Sequence, residues 1–91
     1  MVPSPIIKEL TTIPGVGKSI ATDLYNIGIN QIDDLKGKDP QELYNLSNLW
    51  SGCVQDRCLL YVFRCAVYFA ETPINKQKPE KLKWWNWKDN Y

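Results

Sequence analysis

Apolar residues recur along this chain at intervals of three or four positions, the spacing that places them on one face of an α-helix. No stretch alternates apolar and polar residues as a half-buried strand does. Proline and glycine separate the periodic segments, and a helix does not continue through proline without losing a hydrogen bond. The pattern therefore predicts an all-α fold, a compact bundle of about five helices.

The predicted helices begin and end at residues with capping preferences. Ser4 and Pro5 favour the start of the first helix, and Pro14 closes it. A second helix is predicted over residues 18–27, with Gly28 in the position of a C-terminal cap.

Two later helices are predicted to supply much of the core. Asp39 followed by Pro40 is typical of a helix start, and "LWSG" then breaks the pattern. Residues 53–71 are apolar over most of a helical circumference, which indicates a long central helix ending before Pro73. A final short helix is predicted to open at Pro79. The residues predicted to be buried on the two larger helices are Leu43, Leu46, Val54, Cys58, Tyr61 or Val62, Cys65 and Phe69.

Composition narrows the class of protein. The 91 residues suffice for one small core, and the net charge is +1. The chain has no histidine, the commonest general base, and an odd count of three cysteines indicates reduced, buried thiols. We therefore expect no enzyme activity and no cofactor. No apolar run approaches a membrane span and no secretory signal is recognisable, so the expected location is cytoplasmic, without a membrane partner. The oligomeric state stays open.

The stretch "IPGVGKS" predicts a bend that binds phosphate. Gly15 and Gly17 permit a tight turn directly before a helix, whose first amides point outward at the positive end of the helix dipole. Lys18 adds a positive charge there. A bare helix–helix corner and a protein-binding corner are the alternatives. The residues predicted to contact a DNA phosphate are Gly15, Val16, Gly17, Lys18 and Ser19.

The segment "LTTIPGVGKSIATDLYNIGI" resembles the helix-hairpin-helix motif of non-specific DNA-binding proteins. Its matching positions are Leu10, Ile13, Gly15, Val16, Gly17, Ala21 and Leu24. The resemblance implies a fold of the SAM-like or helix-hairpin-helix type, with hairpin amides on a DNA phosphate. It also implies that a monovalent cation can lie on hairpin carbonyls, here those of Thr11, Ile13 and Val16; no other metal site is predicted.

A broader resemblance covers roughly residues 8–89. "IPGVGKSIATDLYNIGI", "DLKGKDPQELY", "DRCLLYVFRCAVYFA" and "LKWWNWKD" together resemble small bacterial "pathogenicity locus" helix-hairpin-helix proteins, some of which are labelled mitomycin-resistance proteins. This resemblance implies a fold and a link to nucleic acid, without a characterised reaction.

A second candidate surface combines the long helix with the tail. We expect residues 1–75 to form the helix-hairpin-helix domain and the basic, Trp-rich segment 76–91 to dock on it. Arginine and aromatic residues share one helix face, and lysines interleave with tryptophans in the tail, as in single-strand binding surfaces. Alternatively, the arginines pair with Asp56, Glu71 or the acidic first half, and Trp84 or Trp85 docks on the helix. The candidate residues are Arg57, Arg64, Lys83 and Trp87.

Charge is distributed unevenly between the halves of the chain. Residues 1–52 carry four lysines and six acids, a balance of −2, whereas residues 53–91 carry seven basic and four acidic residues, a balance of +3. The bend thus lies in the acidic half, and its DNA contacts are expected to be weak. The function predicted from the sequence is non-enzymatic, sequence-independent binding to a DNA backbone. The alternative is a protein–protein interaction module that uses the aromatic long helix or the Trp-rich tail.

Overall fold

The computed structural model describes residues 2–89, and every regular element in that range is helical. The four α-helices of the described range are α1 (Ser4–Leu10), α2 (Lys18–Asn26), α3 (Pro40–Ser51) and α4 (Arg57–Glu71). Short 3-10 turns lie at Ile32–Leu35, Ile74–Lys76, Pro79–Leu82 and Trp84–Trp87. The prediction of an all-α fold is confirmed.

Helix α4 occupies the centre of the structure. It packs against α3, the turn Ile32–Leu35 and the last two turns of the tail, while α1 packs on α2 and α2 on α3. Leu60, Phe63 and Ala66 of α4 are fully buried. The Cα radius of gyration is 12.3 Å, close to the value of about 12 Å expected for a compact chain of this length. None of the helices within residues 2–89 has the length and apolarity needed to cross a bilayer.

Helix α3 continues through the residues that were expected to end it. Asp39 accepts a hydrogen bond from the Gln41 amide at 2.9 Å, which caps its N-terminus. The helix runs on to Ser51 and ends at Gly52, which has φ 75° and lies in the left-handed region. The break expected within "LWSG" is thus at its glycine, because only glycine adopts that conformation without strain.

The long central helix begins at Arg57, so the predicted start at residue 53 is wrong. Asp56 accepts a hydrogen bond from the Cys58 amide at 2.9 Å and therefore caps α4. The connection before it is held to α3, because the Tyr44 hydroxyl donates to the Gln55 carbonyl and the Gln55 amide donates to the Asn48 side chain.

This later start changes which side chains are buried. Val54 lies in the connection and is 84% exposed, and Leu46 on α3 is 48% exposed, so neither belongs to the core. Of the cysteines, only Cys65 is buried, and burial raises the pKa of its thiol to about 11. Cys53 and Cys58 are exposed, the first in the connection and the second in the first turn of α4. The expectation of three buried cysteines is therefore wrong for two of them.

Candidate nucleic-acid interface

The bend between α1 and α2 turns on Gly15. Its φ is +85°, a conformation that favours glycine. A methyl group on its α-carbon would lie only 2.9 Å from Cδ1 of Trp84, so the indole packs directly on the turn. Val16 is 5% exposed, and its amide donates to the Ile13 carbonyl at 3.0 Å. The Val16 side chain thus anchors the bend in the core, and its amide is already used within the turn.

Four other amides of the bend have no hydrogen-bond acceptor among the described residues. They belong to Gly15, Gly17, Lys18 and Ser19, all of which are exposed. Gly17 caps α2 without a side-chain hydrogen bond, and the first helical bond runs from the Ala21 amide to the Gly17 carbonyl at 2.9 Å. Such amides at a helix N-terminus carry partial positive charge and can donate to an anion.

The two sides of the bend differ in charge. On the α1 side lies a groove of about 440 Å³ whose polar lining includes Ser4, Thr22 and the Lys18 side chain, with no acidic residue among its described lining. On the opposite side, a groove of about 360 Å³ runs from Gly15 to the start of α4 and includes Asp56. The Cys58 amide holds the pKa of the Asp56 carboxyl below its usual value, so this side carries a negative charge at neutral pH. An anion is therefore favoured on the Lys18 side.

The carbonyls predicted to hold a monovalent cation differ in their availability. The Ile13 carbonyl accepts the Val16 amide, whereas no residue in the described chain donates to the Thr11 or Val16 carbonyl. A carbonyl that accepts one hydrogen bond keeps a second lone pair, and carbonyl oxygens suit hard cations. The donor set thus fits such an ion, and the cation site stays a prediction.

The two arginines predicted for the second surface are held by one carboxylate. Arg57 donates to Oδ2 of Asp89 at 2.5 and 2.9 Å, and Arg64 donates to Oδ1 at 2.9 Å. Arg64 also donates to the Trp87 carbonyl at 2.7 Å. The hydrogen bonds from Arg57 and then Arg64 lower the pKa of Asp89. Neither Asp56 nor Glu71 takes this role, so both guanidinium groups bind the tail and are only in part open to other ligands.

The tail lies along the same face of α4. The ring centroids of Tyr68 and Trp87 are 5.5 Å apart, and the Trp87 indole donates to the Lys81 carbonyl at 2.7 Å. Lys83 is exposed, whereas Trp87 is only partly so. The final helix predicted at Pro79 consists of two 3-10 turns separated at Lys83. Of the four candidate residues on this surface, Arg57 and Lys83 are exposed, whereas Arg64 and Trp87 are only partly so.

One exposed apolar surface is not predicted by the sequence pattern. Leu46, Leu49 and Trp50 lie on the outer face of α3 and are 48%, 79% and 65% exposed. Their spacing is the same i, i+3, i+4 pattern that marks a buried face. Periodicity alone identifies a helix face and does not say whether the rest of the chain covers it.

Comparisons with known proteins place the chain in a family. The family model described as pathogenicity locus (Cdd1) matches residues 4–91. The mitomycin resistance protein McrB of Streptomyces lavendulae is 41% identical over 63 residues, which are 69% of this chain and 60% of that protein. The chain thus spans less than two thirds of that relative's length. No solved structure matches it. With a family model that covers nearly its whole length, the chain belongs to the pathogenicity locus (Cdd1) family.

Proposed function

We propose that this protein is a non-enzymatic module that binds a DNA backbone without sequence preference, through a helix-hairpin-helix formed by α1, the bend and α2. The observation that carries the proposal is the set of four exposed amides at Gly15, Gly17, Lys18 and Ser19, which donate to no described residue. A phosphate on the Lys18 side would accept from the amides at the start of α2, those of Gly17, Lys18 and Ser19, and lie next to the ammonium group. Contacts of this kind position a protein on DNA and carry no sequence information.

The charge of the molecule limits the affinity. Lys18 is the lysine that lines the groove on the favoured side of the bend, and the net charge is +1. Each phosphate neutralised by a cation contributes a slope of about −0.9 to log K against log salt concentration. We expect a slope of about −1 to −3 and a dissociation constant near 10⁻⁴ M at physiological salt, in the range of non-specific binding.

A salt titration of fluorescence anisotropy with labelled duplex and single-stranded DNA tests the proposal. Lys18→Glu is expected to weaken binding at low salt at least about tenfold and to reduce the slope by about 1. Lys76→Glu is the matched control, because it makes the same charge change at an exposed site in the tail. Equal loss from the two variants would place the binding in general electrostatic attraction and contradict the proposal.

A second pair of variants separates the bend from the tail. Gly17 has φ −94° and ψ −172°, and a methyl group there would meet nothing within 4 Å, so Gly17→Ala keeps the fold while adding a methyl group at the residue that precedes the Lys18 amide. We expect Gly17→Ala to weaken binding and Trp87→Ala to leave it nearly unchanged. The reverse result would move the site to the tail and overturn the assignment to the bend.

A further inference from the structure

The outer face of α3 and the connection after it form an apolar patch of Leu46, Leu49, Trp50 and Val54. Their exposed fractions, 48%, 79%, 65% and 84%, leave on the order of 500 Å² of apolar surface in contact with water. The largest apolar patch of a typical monomer covers about 300–600 Å² and is often functional, and this patch lies in the upper part of that range. We infer that this α3 patch is a self-association surface and that a second copy of the chain covers it.

The shape of the α3 patch is suited to packing against the same patch of a second copy. Leu49 stands between two depressions, one of about 430 Å³ that extends to Val54 and one of about 320 Å³ that extends to Ile27 and Trp50. A ridge beside a groove on one helix can accept the same ridge from a second helix, as in helix–helix packing generally. With a twofold axis that runs beside the outer face of α3, each Leu49 would lie in a depression of the other copy.

The charge of the patch also favours a second copy. In a twofold interface each residue faces residues of the same surface, so a charged patch would repel itself. The polar groups among the described lining of both depressions are neutral, namely the side chains of Asn26, Asn45 and Asn48 and the thiol of Cys53. A charged partner surface would find no group of opposite charge there. A second copy of the same neutral surface would bring no like charges together.

The size of the patch sets the strength of the association. A standard interface buries about 800 Å² on each partner. Two copies of a patch of about 500 Å² would bury about 1,000 Å² in total, which is below the standard size and typical of weak, transient association. We therefore expect a monomer–dimer equilibrium in the micromolar range.

Association through this patch leaves the bend open. The patch reaches the C-terminal end of α2 at Asn26, which also lines the far end of the Lys18 groove, whereas the bend meets α2 at Lys18. These ends are about 12 Å apart along the helix, at 1.5 Å rise per residue. A dimer therefore presents two bends, and both together would bind one duplex more tightly than either alone; this consequence rests on the proposed function, whereas the dimer itself does not.

Sedimentation equilibrium without DNA tests the inference, so that its failure is separate from a failure of DNA binding. The full chain is expected to show a concentration-dependent mass between monomer and dimer, and Leu49→Glu to raise the dissociation constant at least about 100-fold. Ile74→Glu is the matched control, since Ile74 is 84% exposed, close to the 79% of Leu49, and lies after the end of α4, outside the patch. Melting curves by circular dichroism check that both variants fold.

Thiol crosslinking gives a second readout. Cys53 lines the larger depression, whereas Cys58 lies outside it at the start of α4. A short bismaleimide is expected to link two copies of Cys58→Ser but not two copies of Cys53→Ser, and Leu49→Glu should abolish the link. A monomeric mass up to about 1 mM, or an association unaffected by Leu49→Glu, would overturn the inference and leave the patch to another partner.

Discussion

The indole of Trp84 lies against the α-carbon of Gly15, 69 positions earlier in the chain, and a methyl group at that carbon would approach Cδ1 of the indole to 2.9 Å. The tail thereby forms one wall of the bend between α1 and α2. The geometry of the candidate phosphate site consequently depends on residues from both ends of the described chain.

Gly15→Ala is expected to destabilise the protein by about 2–4 kcal/mol, because the new methyl group meets Trp84 and the φ of +85° is strained for alanine. Gly17→Ala, with an extended backbone and open space at the same atom, should cost less than about 1 kcal/mol. Urea unfolding of both variants measures the difference. Equal losses of unfolding free energy in the two variants would show that the Trp84 indole moves away from the new methyl group without destabilising the fold.

Asp89→Asn is expected to lower the melting temperature at pH 7 by a few degrees, because it removes the charge that holds Arg57 and Arg64. Folding lowers the pKa of Asp89, so its carboxylate stabilises the fold at any pH above the ordinary aspartate value of about 4. That stabilisation disappears as the pH falls through the lower pKa of the folded state.

The difference between wild type and Asp89→Asn should therefore vanish in thermal melts recorded towards about pH 2. Asp33→Asn is the control, because the Asp33–Lys36 ion pair is exposed on both sides and contributes little. A difference that persists unchanged in acid would assign the effect to packing of the tail and not to its charge.

Asp56→Asn is expected to speed the alkylation of Cys58 by iodoacetamide at pH 8. The hydrogen bond with the Asp56 side chain raises the pKa of the Cys58 thiol, and the thiolate is the nucleophile. Asparagine still caps a helix, so the start of α4 is retained. Mass spectrometry of the alkylated peptides measures the rate.

Cys65 provides the internal reference for that experiment. With a pKa of about 11, only about one thiol in a thousand is ionised at pH 8, and the side chain is fully buried. It should react only when denaturant is added. Rapid labelling of native Cys65 would contradict the packing of α4.

Tyr44→Phe is expected to cost about 1–2 kcal/mol, because it leaves the Gln55 carbonyl without the hydroxyl that donates to it. Tyr25→Phe is the control, since the Tyr25 hydroxyl has no hydrogen bond within the described residues. Chemical denaturation compares the two. A negligible effect at Tyr44 would mean that water replaces the hydroxyl at no cost.

Local signals in the sequence predicted helix boundaries well where a capping residue or a helix-breaking residue marks them. Asp39 with Pro40 and Gly28 mark boundaries within a residue or two of the observed ones. The start of α4 was missed because Cys53 and Val54 continue the apolar spacing of the helix, so that the Asp56 cap is the local signal that separates them from it. The preference of one residue for a capping position is a weaker signal than the apolar periodicity of the whole segment.

Contacts between distant parts of the chain could not be read from local pattern. The pairing of Arg57 and Arg64 with Asp89 spans 32 and 25 positions, and Trp84 meets Gly15 across most of the sequence. The bend itself was recognised from two glycines and a lysine. The sequence does not show which amides of the bend have a hydrogen-bond acceptor within the protein. That depends on the turn geometry, in which the Val16 amide donates to the Ile13 carbonyl.

The place of Trp84 also decides how this protein can be shortened. A truncated version that stopped at residue 75 would lose the Trp84 indole, which lines the same groove as Ile20, Leu59 and Val62. Those apolar side chains would then be more exposed to solvent. Such a fragment would invite aggregation during expression, so peptide tags and deletions intended to isolate the bend should spare the tryptophan-bearing tail.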